Sequence, residues 1–171
     1  PGEITAALRP GKPDMLGLNI YNAAPVRMGA AGPEYVERPT GYPRTAIGWP
    51  VEPDSLDWGP YFIAERYGLP LYISENGLSC NDWVSLDGQV HDPARIDFTA
   101  RYLRALASGI RRGADVRGYF HWSLMDNYEW HSGYSERFGL VYMDYPTGRR
   151  LPKDSARWYA RIAETNGAEL G

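Results

Sequence analysis

Three short apolar runs in this 171-residue chain each end in residues able to do chemistry. The first, MLGLNIY at residues 15–21, closes on Asn19, Ile20 and Tyr21. The second, PLYIS at 70–74, runs straight into Glu75, Asn76 and Gly77, where Asn-Gly is expected to turn the chain sharply. The third, VRGYFHW at 116–122, closes on His121, Trp122 and Ser123, with Asp126, Asn127, Glu129 and Trp130 just beyond. Carboxylates, an imidazole and hydroxyls are groups for nucleophilic attack and proton transfer. Parallel α/β barrels build their sites at the carboxyl ends of the strands, so these residues would share one pocket. Taken singly, each has a plainer explanation. Glu75 is a carboxylate at a strand-to-turn junction, satisfied by backbone N–H groups; Glu129 is a solvated loop carboxylate; His121 and His131 are histidines with a local hydrogen bond rather than proton donors.

The elements that would position these residues follow from pattern. The three runs lack clean alternation, as strands buried on both faces do in a parallel sheet. Between them, Asp92 suits an N-cap and Pro93 a first helical position. Ile96, Thr99, Leu103, Leu106 and Ile110 repeat at helical spacing, and Gly113 offers a stop. A shorter helix is expected over residues 61–67, stopped by Gly68, its start blurred by Gly59-Pro60. After the third run come a long loop, then FGLVYMDY and a Pro146-Thr147-Gly148 turn in a hairpin-like excursion, and a final helix through SARWYARIAE capped by Asp154. Repeated βα units argue for a parallel α/β sheet. Residues 22–54 are rich in Pro and Gly and read as a long connection holding Tyr35, Tyr42 and Trp49, a length that suggests function.

Composition is that of an ordinary globular chain: 43% apolar, 23% charged, net charge −3. No basic cluster suggests nucleic acid, and no apolar run is long enough to span a membrane. The opening PGEITAALRPGKPD has no continuous apolar stretch of the kind a leader needs. One cysteine, Cys80, fits a reducing compartment, and a cytoplasmic location is expected. Cys80 and three scattered His show no metal-ligand spacing, so neither metal nor cofactor is expected. The unusual figure is 13% aromatic residues, with six Trp and thirteen Tyr. Sugar-binding clefts need flat apolar faces edged with hydrogen-bonding tips, so the surplus hints at carbohydrate.

Longer strings sharpen this picture. LPLYISENG resembles the seventh-strand signature of family 1 glycoside hydrolases, the β-glucosidase family. GYFHWSLMDNYEW resembles its eighth-strand signature, SERFGLVYMDYPTGRRLPKDSARWY its C-terminal signature, and LGLNIYN its sixth-strand segment. The resemblance runs through nearly the whole chain in family order. It implies an α/β fold that is the C-terminal part of a (β/α)8 TIM barrel, about three βα units in one partial domain over 1–171, with 22–54 as a substrate-side loop. It implies retaining hydrolysis of terminal β-D-glucosyl or related residues through a covalent intermediate, acting on a β-glucoside or oligosaccharide. Residue by residue, it implies that Glu75 is the nucleophile and that Tyr21 orients it. Glu129 and Trp130 would bind hydroxyls at the far edge of the sugar, Trp122 would form the floor, and Phe138 would close one side. It also implies a strained peptide bond after Trp122. Ile20 departs from the family's Tyr-Tyr pair, and Glu129 at the distal-hydroxyl position favours an unphosphorylated sugar.

The family's acid/base Glu lies in an Asn-Glu-Pro motif, and no Asn-Glu-Pro occurs here. A full barrel needs roughly 250 residues. The chain is therefore expected to carry the nucleophile without the usual acid/base, and to work joined to an N-terminal barrel portion or as a homo-oligomer. The alternative is a catalytically silent partial barrel that only binds carbohydrate or protein. An open barrel-side face is expected to expose Leu16, Leu18, Tyr72, Tyr119 and His121.

Overall fold

The computed structural model of the chain describes residue 11 and residues 13–170. Residues 1–10, most of the segment judged above to lack a leader, lie outside the described residues. Three parallel strands form the central sheet: β1 (Leu16–Asn19), β4 (Leu71–Asn76) and β5 (Val116–His121), in the order β1-β4-β5. Spatial order follows chain order, as in a barrel and unlike the reversal of a doubly wound sheet. Helix α1 (Ser55–Tyr67) precedes β4, α2 (Pro93–Arg111) precedes β5, and α3 (Asp154–Glu164) follows it. The expected excursion is an antiparallel hairpin of β6 (Val141–Asp144) and β7 (Arg149–Pro152). No helix among the described residues is long and apolar enough to cross a membrane.

Several elements differ from expectation. Helix α1 starts at Ser55, six residues before the expected Tyr61, and carries Pro60 inside it. Proline removes one i→i−4 bond, to the Leu56 carbonyl. There α2 comes close: a Cβ on Gly109 would lie 2.6 Å from the Asp57 carbonyl oxygen and 3.2 Å from that of Leu56. The helices cross on bare backbone, and Arg112 donates to Asp57 at 2.9 Å beside the contact. The loop at 22–54 contains a second hairpin, β2 (Val26–Gly29) and β3 (Gly32–Tyr35). Its turn lacks Asn-Gly and Pro33 interrupts its second strand, so the usual hairpin signals are missing. Asp154 is the first residue of α3 rather than its cap. The capping carboxylate is that of Asp92, which accepts from Ser155 N at 2.8 Å and Ser155 Oγ at 2.5 Å.

The core lies between the sheet and the helices. Ile73 of β4 and Leu78 just beyond it meet Leu56 of α1 and Phe98, Tyr102 and Leu106 of α2, all buried, and Leu71 is buried as well. Each such apolar side chain contributes about 1.5–3 kcal/mol by leaving water. The buried stripe of α2 runs through Phe98 and Tyr102, whose rings stack with centroids 3.9 Å apart. It is displaced from the expected one: Ile110, counted inward above, is exposed. Leu18 and Tyr119, expected on the open face, pack against this helical core instead. A register slip between Leu71 and Tyr72 pairs Tyr72 with Gly118, so the open face carries Gly17, Asn19, Tyr72, Ser74 and Phe120, the last 60% exposed. One residue of slip reverses the side chains beyond it, so Tyr119 and His121 face the helices, while Tyr72 lies on the open face as expected; Leu16 and Leu18 pair in plain register with Leu71 and Ile73 and face inward with them.

Six buried or nearly buried charges bind the loops to this frame. Lys153 bridges Asp82 at 2.6 Å and Asp126 at 2.8 Å. Arg95 pairs with Asp82 at 2.7 Å and with Asp92. Arg137 pairs with Asp126 at 2.7 Å, and its carbonyl accepts from Arg95 at 2.7 Å. Three cations and three carboxylates thus join the loop after β4, the head of α2, the loop after β5 and the head of α3.

Candidate active site

Plain alternation along β4 would send Glu75 into the helical core with Leu71 and Ile73. The strand slips between Ile73 and Asn76, and β1 slips between Leu18 and Asn19. Glu75 therefore turns to the carboxyl-end surface, half-buried, and its Oε2 accepts from the Tyr21 hydroxyl at 2.7 Å. Burial raises the Tyr21 hydroxyl well above its ordinary value, and the hydrogen bond and charge of Glu75 push it the same way. Tyr21 therefore stays protonated and is the donor to Glu75.

Tyr21 is fixed from behind. The buried Tyr102 of α2 donates to the Tyr21 carbonyl at 3.0 Å and accepts from Glu52 N at 2.7 Å. Burial pushes the Tyr102 hydroxyl up to about 12. The Tyr21 ring meets Trp49 edge-on at 5.0 Å between centroids and Phe138 at 6.5 Å, while Trp49 and Phe138 lie 5.8 Å apart. Phe138 is fully buried, held by its carbonyl accepting from Ser123 N at 3.0 Å.

The second carboxylate comes from the loop after β5. Burial raises Glu129 above the usual carboxylate range, the charges of Glu75 and Glu136 raise it further, and hydrogen bonding to Trp122 opposes them. Trp122 N donates to the Asn76 carbonyl at 2.8 Å, and the Trp122–Ser123 peptide is cis. Gly77 does not serve as the sharp turn expected of Asn-Gly, because Asn76 is still strand. It is small because a Cβ there would sit 1.9 Å from the Trp122 carbonyl oxygen. Trp130 is 75% exposed with φ 39°, and Glu129 N donates to the Gly133 carbonyl at 2.6 Å across its turn. A bulky side chain at positive φ stores of order 1–3 kcal/mol and is kept only where the surroundings impose it.

Glu75, Tyr21, Phe138, Glu129 and Trp122 are thus linked by hydrogen bonds, ring contacts or charge. Trp130 is adjacent in sequence, but among the described residues its side chain makes no hydrogen bond or ring contact with the other five. His121 is no proton donor: its ring packs against Tyr159 at 5.9 Å, and burial, then Arg95 and Lys153, push it down to about 3. His131 is exposed. Tyr102 is not singled out in the sequence, Asn76 reads there only as half of an Asn-Gly turn, and Trp49 only as an aromatic in the long loop. Signals existed for two of them, since Asn76 adjoins Glu75 and Tyr102 lies on the inner stripe of α2.

Residues 5–168 match the family model described as Glycosyl hydrolase family 1. Beta-glucosidase A of Thermotoga maritima is 43% identical over 162 residues, 92% of this chain and 36% of that protein. The bifunctional beta-D-glucosidase/beta-D-fucosidase of Bifidobacterium breve is 42% identical over 176 residues, covering 91% of this chain and 38% of its own. A solved family 1 β-glucosidase from Thermotoga maritima superposes with a TM-score of 0.84 at 43% identity, over 92% of this chain and 36% of that one. The same enzyme in complex with deoxynojirimycin gives the same TM-score and coverage. The chain spans little more than a third of the length of the relatives it matches.

Proposed function

Because the chain belongs to glycosyl hydrolase family 1, we propose that it carries the nucleophile side of a retaining β-glucosidase, with Glu75 attacking the anomeric carbon of a terminal β-glucosyl residue. The observation that supports this is the Tyr21 hydroxyl donating to Glu75 at 2.7 Å where β1 and β4 end together. A Glu75 oxygen bonds to the anomeric carbon as the bond to the leaving oxygen breaks, and that oxygen takes a proton from a second carboxyl. Water then displaces Glu75, giving its proton to the same carboxyl. Trp122 offers its indole face to the apolar side of the pyranose, and Glu129 accepts from its vicinal hydroxyls.

The proton-carrying carboxyl comes from outside these 171 residues, since no Asn-Glu-Pro occurs among them. General acid–base help is worth about 10²–10⁴-fold, so the chain without it turns over slowly at best. Incubation with an activated 2-deoxy-2-fluoro glucoside, alone and with the N-terminal barrel portion of a relative, tests this by intact mass and peptide mapping. The expected result is one adduct on the peptide holding Glu75, absent in Glu75→Gln. An adduct on Glu129, or labelling of Glu75→Gln, would overturn the assignment. No adduct under either condition would favour a silent sugar-binding module.

Association belongs to the same proposal. Among the described residues, the outer edges of β1 and β5 have no strand beside them in the sheet, and Phe120 stands exposed on the open face. Such edges recruit other strands. Light scattering at micromolar concentration should find a homo-oligomer, or a complex with the N-terminal portion when it is supplied. A persistent 19.2 kDa monomer would contradict this.

A further inference from the structure

The structure assigns Asn76 a positioning role: it holds the strand-end slip that turns Glu75 out of the helical core and toward Tyr21. This rests on Glu75 being the nucleophile. Asn76 is 0% exposed and sits where β4 would otherwise bury residue 75. Its side-chain amide donates to the Ile20 carbonyl at 2.8 Å, and its side-chain carbonyl accepts from the Tyr119 hydroxyl at 2.8 Å. Its backbone carbonyl accepts from Trp122 N at 2.8 Å. One residue thus ties the β1 end beside Tyr21 to the β5 end beside Trp122, with Glu75 as its own neighbour.

The chemistry required is specific. Only an amide can donate to Ile20 and accept from Tyr119 within this length. An aspartate has no proton for Ile20 when ionised, and alanine removes the donor to Ile20 and leaves the Tyr119 hydroxyl only the Asn76 backbone carbonyl at 3.3 Å. Without the side-chain tie the slip rests on backbone bonds alone, Ile20 N to the Glu75 carbonyl among them, and residue 75 is held less firmly against the Tyr21 hydroxyl. Asn76 touches no substrate; it acts through Glu75.

Two readouts on the full chain test this. The first is titration of the Glu75 carboxyl by carbon NMR in wild type and Tyr119→Phe. The second is the rate and apparent affinity of labelling by the fluoro glucoside across pH, in these two and in Asn76→Asp. In Asn76→Asp the new carboxylate repels the Glu75 charge whatever Tyr21 does, so the titration is read in Tyr119→Phe, which adds no charge. The limiting labelling rate of Asn76→Asp should fall by roughly tenfold or more, with affinity changed far less. Tyr119→Phe, which removes one hydroxyl and little volume, should show a smaller fall, with the Glu75 titration moved upward as Tyr21 loses its grip. If Asn76→Asp fails to fold, Tyr119→Phe decides alone. Unchanged titration and labelling in folded Tyr119→Phe would overturn the proposal. Absence of labelling in wild type would instead sink Glu75 as nucleophile, while the titrations would still report whether Asn76 sets its environment.

Discussion

Two groups of charges lie at the same end of this molecule and are treated in opposite ways. Around Lys153, each of Asp82, Asp92 and Asp126 has a cation, and the cations are themselves shared. Around Glu75, two carboxylates influence one another, and neither forms an ion pair among the described residues. Glu75 takes a hydroxyl proton from Tyr21, a neutral partner. Charges closed on one another hold loops in place and have nothing left for a ligand. Charges left with neutral donors keep their lone pairs available, and their mutual repulsion is borne by the scaffold the first group provides.

Substitution separates the two groups. Lys153→Met should have the largest effect, because it leaves Asp82 and Asp126 buried beside one another without their shared cation. A loss of about 3–5 kcal/mol is expected, read as a fall in the urea midpoint. A loss below 1 kcal/mol would mean that the ion cluster is not what holds these loops. Glu129→Gln should act weakly and in the other direction. Glu129 is raised above its ordinary value, so the folded chain favours its protonated form. That contribution is complete at low pH and fades as pH rises through the raised value. The Gln variant should therefore match wild type at pH 4 and exceed it at pH 8 by about 0.5 kcal/mol or less. A clear loss of stability at pH 8 would show that the Glu129 charge is wanted by the fold, and the contrast would fail.

Much of the frame was legible because it rests on local signals. The Asp92-Pro93 start of α2, the Gly68 stop of α1 and the Pro-Thr-Gly turn of the β6–β7 hairpin each depend on the backbone chemistry of a few residues. Glu75 and Tyr21 stood at strand ends and were brought together as expected. What escaped depends on distant partners. Pro60 reads as a helix breaker, yet α1 runs through it because Gly109 of α2 sits against the freed carbonyl. The strand slips leave no mark in the local pattern, so neither the outward turn of Glu75 nor the inward faces of Tyr119 and His121 can be read from it. Asp82, Arg95 and Lys153 look like surface charges one at a time, and only the fold reveals them as a buried set. Trp49 lies in a segment without period, and its place against Tyr21 and Phe138 is a matter of tertiary contact.

Asp92 opens one helix and caps another 62 positions later in the chain, through Ser155. Everything from α2 to the start of α3, including the loop that carries Trp122, Glu129 and Phe138, is therefore a closed loop pinned at its base. The entropy of closing that loop falls on a buried carboxylate. The two helices cannot fray independently at their heads, since opening either one strands the same carboxylate. They belong to one cooperative unit, and the loop after β5, pinned to it through Asp126 and Lys153, opens only with it.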